Sequence, residues 1–85
     1  SGERRFIDGY ARYLIRQNDN EALIGITESY NDDAPARLFF WKSEGYLRTG
    51  EPEEALEAMW EAVDRSPDNA DYLVRLASIY LRLKD

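Results

Sequence analysis

The sequence repeats itself. Tyr13-Leu14 is followed by Glu21-Ala22-Leu23, and Tyr46-Leu47 is followed by Glu54-Ala55-Leu56 at the same internal spacing, 33 residues further on. Tyr80-Leu81 recurs 34 residues after Tyr46-Leu47, and Arg48 and Arg82 follow the second and third Tyr-Leu pairs. Three matches in register describe a supersecondary unit of about 33–34 residues, which cannot bury its apolar face alone and must stack on its neighbours.

Each unit reads as two helices. Residues 2–16 carry Phe6, Ile7, Tyr10, Ala11, Tyr13 and Leu14 at spacings of three and four. A polar break, Gln17-Asn18-Asp19-Asn20, precedes a second helix over 20–30 with Ala22, Leu23, Ile26 and Tyr30. The segment Asn31-Asp32-Asp33-Ala34-Pro35 breaks the pattern again, with an Asp to cap the next helix and Pro35 in its first turn. Residues 35–49 form the third helix, which Gly50 ends. Residues 52–65 show a stripe of Ala55, Leu56, Met59, Ala62 and Val63, with Glu53 and Glu54 at the positive end of the helix dipole. After Ser66-Pro67-Asp68-Asn69, residues 70–83 carry Leu73, Leu76, Ala77 and Tyr80. Five helices with short links, and no convincing strand, predict an all-α fold in a single domain.

Composition narrows the function. The 85 residues contain no cysteine and no histidine, which removes disulfides, thiolate nucleophiles, Ser-His-Asp chemistry and the usual zinc sites. No catalytic residue, metal ligand or cofactor site is expected, and an enzyme is disfavoured. A net charge of −6 argues against a general nucleic-acid binder. The longest uninterrupted apolar run, Leu38-Phe39-Phe40-Trp41, is far short of the ~20 residues that span a bilayer. The chain opens Ser1-Gly2 without an initiating Met, and we expect a fragment of a larger scaffold or assembly protein.

The middle unit, residues 36–69, resembles one complete tetratricopeptide repeat. Phe39 stands where the family often has Trp, Ser43 fills the small-residue place and Tyr46 the aromatic one. Gly50 closes the first helix, Ala55, Met59 and Ala62 form the seam of the second, and Pro67 ends the unit. Lys42 replaces a usual Leu. Residues 70–85 resemble the first half of a further unit, or a capping helix. Residues 3–35 resemble a degenerate unit, in which Tyr10 stands where a small residue is expected and Gln17 replaces the glycine. The resemblance implies a right-handed superhelical stack of antiparallel helix pairs over the whole chain.

It also implies a concave wall built from the first helix of each unit. The first unit would contribute Arg4, Ile7, Ala11, Leu14 and Ile15; the second Arg37, Phe40, Glu44, Leu47 and Arg48; the third Asp71, Val74, Ser78, Leu81 and Arg82. Such a wall reads as a groove for a peptide or helix of a partner protein. Packing between units is the competing reading of the same residues. The family's chaperone-binding members grip a C-terminal carboxylate with Lys, Asn and Arg on this wall. Here only Arg75 matches, so that use is not expected.

Charge is unevenly distributed. Segments 2–16, 35–49 and 69–83 carry +2, +2 and +1, against −11 for the remainder. A basic groove would favour an acidic or amphipathic partner. Capping by acids near helix starts explains the same asymmetry, and both causes can act together. Glu53, Glu54, Glu57 and Glu61 read as a solvated face, and Trp41 and Trp60 as packing residues or interface anchors. A second function is open at the final helix. Its unpaired side would expose part of Leu76, Tyr80 and Leu83, a surface through which the module could self-associate.

Overall fold

The computed structural model describes residues 2–30 and 32–84; Ser1, Asn31 and Asp85, which belong to the expected opening, second break and final unit, lie outside the described residues. The helices are α1 (Gly2–Arg16), α2 (Asn20–Ile24), α3 (Ala36–Arg48), α4 (Pro52–Arg65) and α5 (Ala70–Lys84), with a 3-10 turn at Gly25–Thr27. Among the described residues there is no strand. Each helix packs on its neighbour in sequence, and α3 also meets α1. The fold is an all-helical stack of the repeat-solenoid kind.

Local chemistry sets most boundaries. Asp19 caps α2 by accepting from the Ala22 N–H at 3.1 Å, and Asn69 caps α5 by accepting from the Tyr72 N–H at 3.2 Å. Pro52 sits in the first turn of α4, where its missing N–H costs nothing. Pro35 falls one place earlier than expected, at the N-cap of α3, and no side chain caps that helix. The second helix is shorter than the expected 20–30. Gly25 forfeits helix propensity, and the β-branched Ile26 and Thr27 add little to recover it. The chain tightens there, with Glu28 N–H bonded to the Gly25 carbonyl and Tyr30 N–H to that of Thr27.

The ends of α1 and α3 correct the repeat register. At Gly50, φ is +76°, and the Glu51 N–H reaches back to the Tyr46 carbonyl while the Gly50 N–H bonds that of Leu47. The same turn recurs at Asn18, with φ +56°, the Asp19 N–H on Leu14 and the Asn18 N–H on Ile15. Asn18 and Gly50 are equivalent, and they stand 32 residues apart rather than 33. Ala11 therefore matches Ser43, and both are wholly buried. The small residue of the first unit is Ala11, not Tyr10. Letter matching followed the Tyr-Leu pairs, whereas the geometry follows the left-handed turn, which Asn also tolerates.

The core has two parts. Ile7, Ala11, Leu14, Leu23, Ala34, Leu38 and Trp41 form the first; Ala55, Met59, Ala62, Val63, Tyr72, Leu76 and Ile79 form the second. Phe39 and Phe40 pack against both and join them. Gly45 permits the closest approach. A Cβ there would stand 2.9 Å from Cγ1 and 3.1 Å from the backbone N of Ile24. On α5 the inward residues are Tyr72, Leu76 and Ile79. Leu73 and Tyr80 are instead about half exposed, because they point away from α4 and the core.

Candidate protein-binding face

The residues expected along the wall divide into three groups. Ile7 and Leu14, with Ala11, are core residues of α1 and face α2 and α3. They cannot touch a partner while the fold is intact, and the one-residue register shift explains why. The equivalents of Arg37, Phe40, Glu44, Leu47 and Arg48 are Arg5, Asp8, Arg12, Ile15 and Arg16, set 32 positions earlier.

The second group is knitted together. Arg37 on α3 grips Asp8 on α1 through Nε at 2.6 Å and Nη2 at 3.1 Å, a bidentate pair. Trp41 adds its indole N–H to the same carboxylate at 2.8 Å. Burial pushes the Asp8 carboxyl up, but hydrogen bonds from Arg37 and Trp41 and the charges of Arg37 and Arg12 outweigh it and hold it below its ordinary value. For Arg37, burial acts downward, but the Asp8 carboxylate and the Tyr72 hydroxyl outweigh it and raise its pKa. Two guanidiniums approach the Phe40 ring, Arg37 at 4.5 Å and Arg75 at 4.7 Å from its centre, and the ring stacks on Tyr72 at 5.6 Å. Arg75 in turn pairs with Glu44 at 2.8 Å. Arg37, Phe40 and Glu44 are thus fasteners between α1, α3 and α5. Asp8, Trp41, Tyr72 and Arg75 complete this network, and the sequence reading assigned none of them to it.

The third group is open. Asp71, Val74, Ser78, Leu81 and Arg82 are exposed on α5, Arg48 is exposed on α3, and Leu47 beside it is half buried. Around them stand cations that no carboxylate grips in an ion pair, although the charge of Arg12 acts on Asp8. Arg12 rests over the Trp41 ring at 5.8 Å. Arg48 donates to the neutral amide oxygen of Asn20 at 2.9 Å. Arg5, Arg16 and Arg82 make no hydrogen bond or ion pair among the described residues. Arg5, Arg12 and Arg16 are spaced by seven and four, so they share one edge of α1.

Elsewhere, the acidic edge of α4 behaves differently. Glu54, Glu57 and Glu61 line a cleft with Phe39, Lys42 and Tyr46. The chain supplies cations to it: Arg65 lies 4.3 Å over Phe39 and pairs with Glu61, and Lys42 reaches the Thr27 hydroxyl at 3.3 Å. Trp41 is core, whereas Trp60 is 44% exposed and donates its indole N–H to the Tyr80 hydroxyl at 3.1 Å. Of the expected self-association surface, Leu76 is buried and Leu83 half buried, leaving Tyr80 as its exposed member.

A family model of the tetratricopeptide repeat matches residues 36–79, which span α3, α4 and most of α5. That is more than half of the chain, and the chain belongs to this family. Comparison with curated proteins gives no match, and comparison with solved structures gives none either. The family's function class is protein–protein interaction, and its repeats are typically non-catalytic. No described helix is long and apolar enough to cross a membrane.

Proposed function

We propose that this module captures an acidic, extended or helical segment of a partner protein along the concave edge formed by α1, α3 and α5, and that it does so without catalysis. The observation that carries the reading is a set of arginines there that form no ion pair, Arg5, Arg12, Arg16, Arg48 and Arg82, of which Arg12 only senses the charge of Asp8. Arg37 and Arg75 are neutralised by Asp8 and Glu44, so the ion pairs that hold the fold are separate from the charges offered to a ligand. Leu47, Val74 and Leu81 supply apolar contact between the charges. The chain as a whole is acidic, so this local basic edge steers an anionic segment to one side of the molecule.

The test is a fluorescence-anisotropy titration of a labelled peptide of alternating Glu and Leu against the protein. Binding should weaken as salt rises, and Arg12→Glu with Arg16→Glu should weaken it at least about tenfold with far-UV circular dichroism unchanged. Equal affinity of the charge-reversed variant contradicts the reading. Phe40→Ala is not a clean probe, because Phe40 joins both parts of the core.

A further inference from the structure

We infer that the partner segment crosses the helices in a polyproline II conformation, with an acidic residue at every third position. The inference rests on the capture of an acidic segment proposed above, and adds the conformation and spacing selected. The left-handed turns at Asn18 and Gly50 make Arg16 the equivalent of Arg48, 32 positions apart. Leu38 and Gly45 on α3, and Tyr72 and Ile79 on α5, are buried at matching positions 34 residues apart, which makes Arg48 the equivalent of Arg82. One exposed arginine per unit therefore stands in the last turn of α1, α3 and α5. The residue before each is aliphatic: Ile15, Leu47 and Leu81. Neighbours on a helix are about 100° apart, so each unit presents an arginine beside an aliphatic side chain. Stacking the three units turns these pairs into two parallel rows.

The step between rungs selects the ligand. Side chains join α1 to α3 directly, through Asp8 and Arg37, and α3 to α5, through Phe40 and Tyr72. Helices in such contact lie about 8–10 Å apart. Three residues of polyproline II advance about 9 Å and complete one turn, so every third side chain returns to the same face one rung further on. In a strand, side chains three apart point to opposite faces. A helix rises only about 1.5 Å per residue and needs about 15 residues to meet three rungs, where polyproline II needs about seven. Successive side chains of polyproline II are about 120° apart, so an acid on the arginine row brings its neighbour onto the aliphatic row. Arg48 is already oriented for this, because Asn20 holds its Nε and leaves both Nη groups to a carboxylate. Arginine at a helix end also complements the dipole. That role does not account for the aliphatic row, in which Leu81 keeps its place although it is 66% exposed.

The test is a fluorescence-anisotropy comparison of two labelled nonapeptides of equal composition and charge. One repeats Glu-Leu-Pro three times; the other runs Glu-Glu-Glu-Leu-Pro-Leu-Pro-Leu-Pro. Proline biases both toward polyproline II, so the spacing of the acids is what differs. The periodic peptide should bind at least about fivefold tighter. Arg48→Gln, the middle rung, should remove most of that difference with far-UV circular dichroism unchanged. Equal affinity of the two peptides overturns the spacing and leaves acidic capture standing. So does binding of neither, if the alternating Glu and Leu peptide still binds; if none of the three binds, both readings fail. Arg48→Gln that preserves the full difference, or tighter binding by a helical peptide of equal charge with acids seven apart, overturns the polyproline II register.

Discussion

Arg37 and Asp8 meet through both nitrogens and both oxygens, and their pairing fastens the first helix to the third across 29 residues of chain. Both side chains are about seven-eighths buried, so each depends on the other to be tolerated there. Removing one partner leaves a charge without compensation. Asp8→Ala should therefore cost about 2–4 kcal/mol, because it also strips the acceptor from the Trp41 indole. Urea unfolding followed by Trp fluorescence measures this; a cost below about 0.5 kcal/mol, as for surface pairs, contradicts it.

The same pair sets a pH dependence. The folded Asp8 pKa lies below its ordinary value of 3.8, so the unfolded chain binds the proton more readily. The stabilisation is complete above the ordinary value and is lost as pH falls through 3.8 toward the folded value. Stability profiles of the wild-type chain and Asp8→Asn should converge in acid and separate toward neutral pH. Parallel profiles across that window would exclude Asp8 as the group responsible.

Gly45 tests the contact between α2 and α3. Ala is the better helix former by about 1 kcal/mol, yet a Cβ would press on Ile24 at 2.9 Å and on its backbone. Gly45→Ala should lower the thermal midpoint despite its propensity advantage. A raised midpoint would show that α2 yields without cost.

The orientation of α5 is tested by adjacent residues. Tyr72 is buried against Phe40, whereas Leu73 faces outward. Tyr72→Ala should cost about 3–5 kcal/mol and Leu73→Ala no more than about 0.5 kcal/mol when both are measured as monomers at low concentration. The reverse order would place the wrong side of α5 inward.

How much of this was readable beforehand follows from particular residues. Helical periodicity placed α1, α3, α4 and α5, and the Gly50 turn marked the end of α3, because those signals are local. The stop at Ile24 was not read, since Ile26 and Tyr30 continue an apolar spacing that the backbone beyond Gly25 does not follow. The register of the first unit was missed because Asn18 does the work of a glycine without resembling one. That shift concealed Asp8 and moved the expected contacts onto the buried Ile7 and Leu14. Tyr72 and Ile79 lie outside the expected stripe of Leu73, Leu76, Ala77 and Tyr80, of which Leu76 alone faces the core. The middle unit needed no such correction at its seam, where Ala55, Met59 and Ala62 are wholly buried.

The central claim is that the arginine edge of α1, α3 and α5 receives an anionic segment. The most direct measurement is a two-dimensional NMR titration of the isotopically labelled protein with the Glu-Leu peptide. The account predicts saturable shifts concentrated at Arg12, Arg16, Leu47, Arg48 and Arg82, with α4 unmoved. Shifts confined to α4, or none at all, would contradict it.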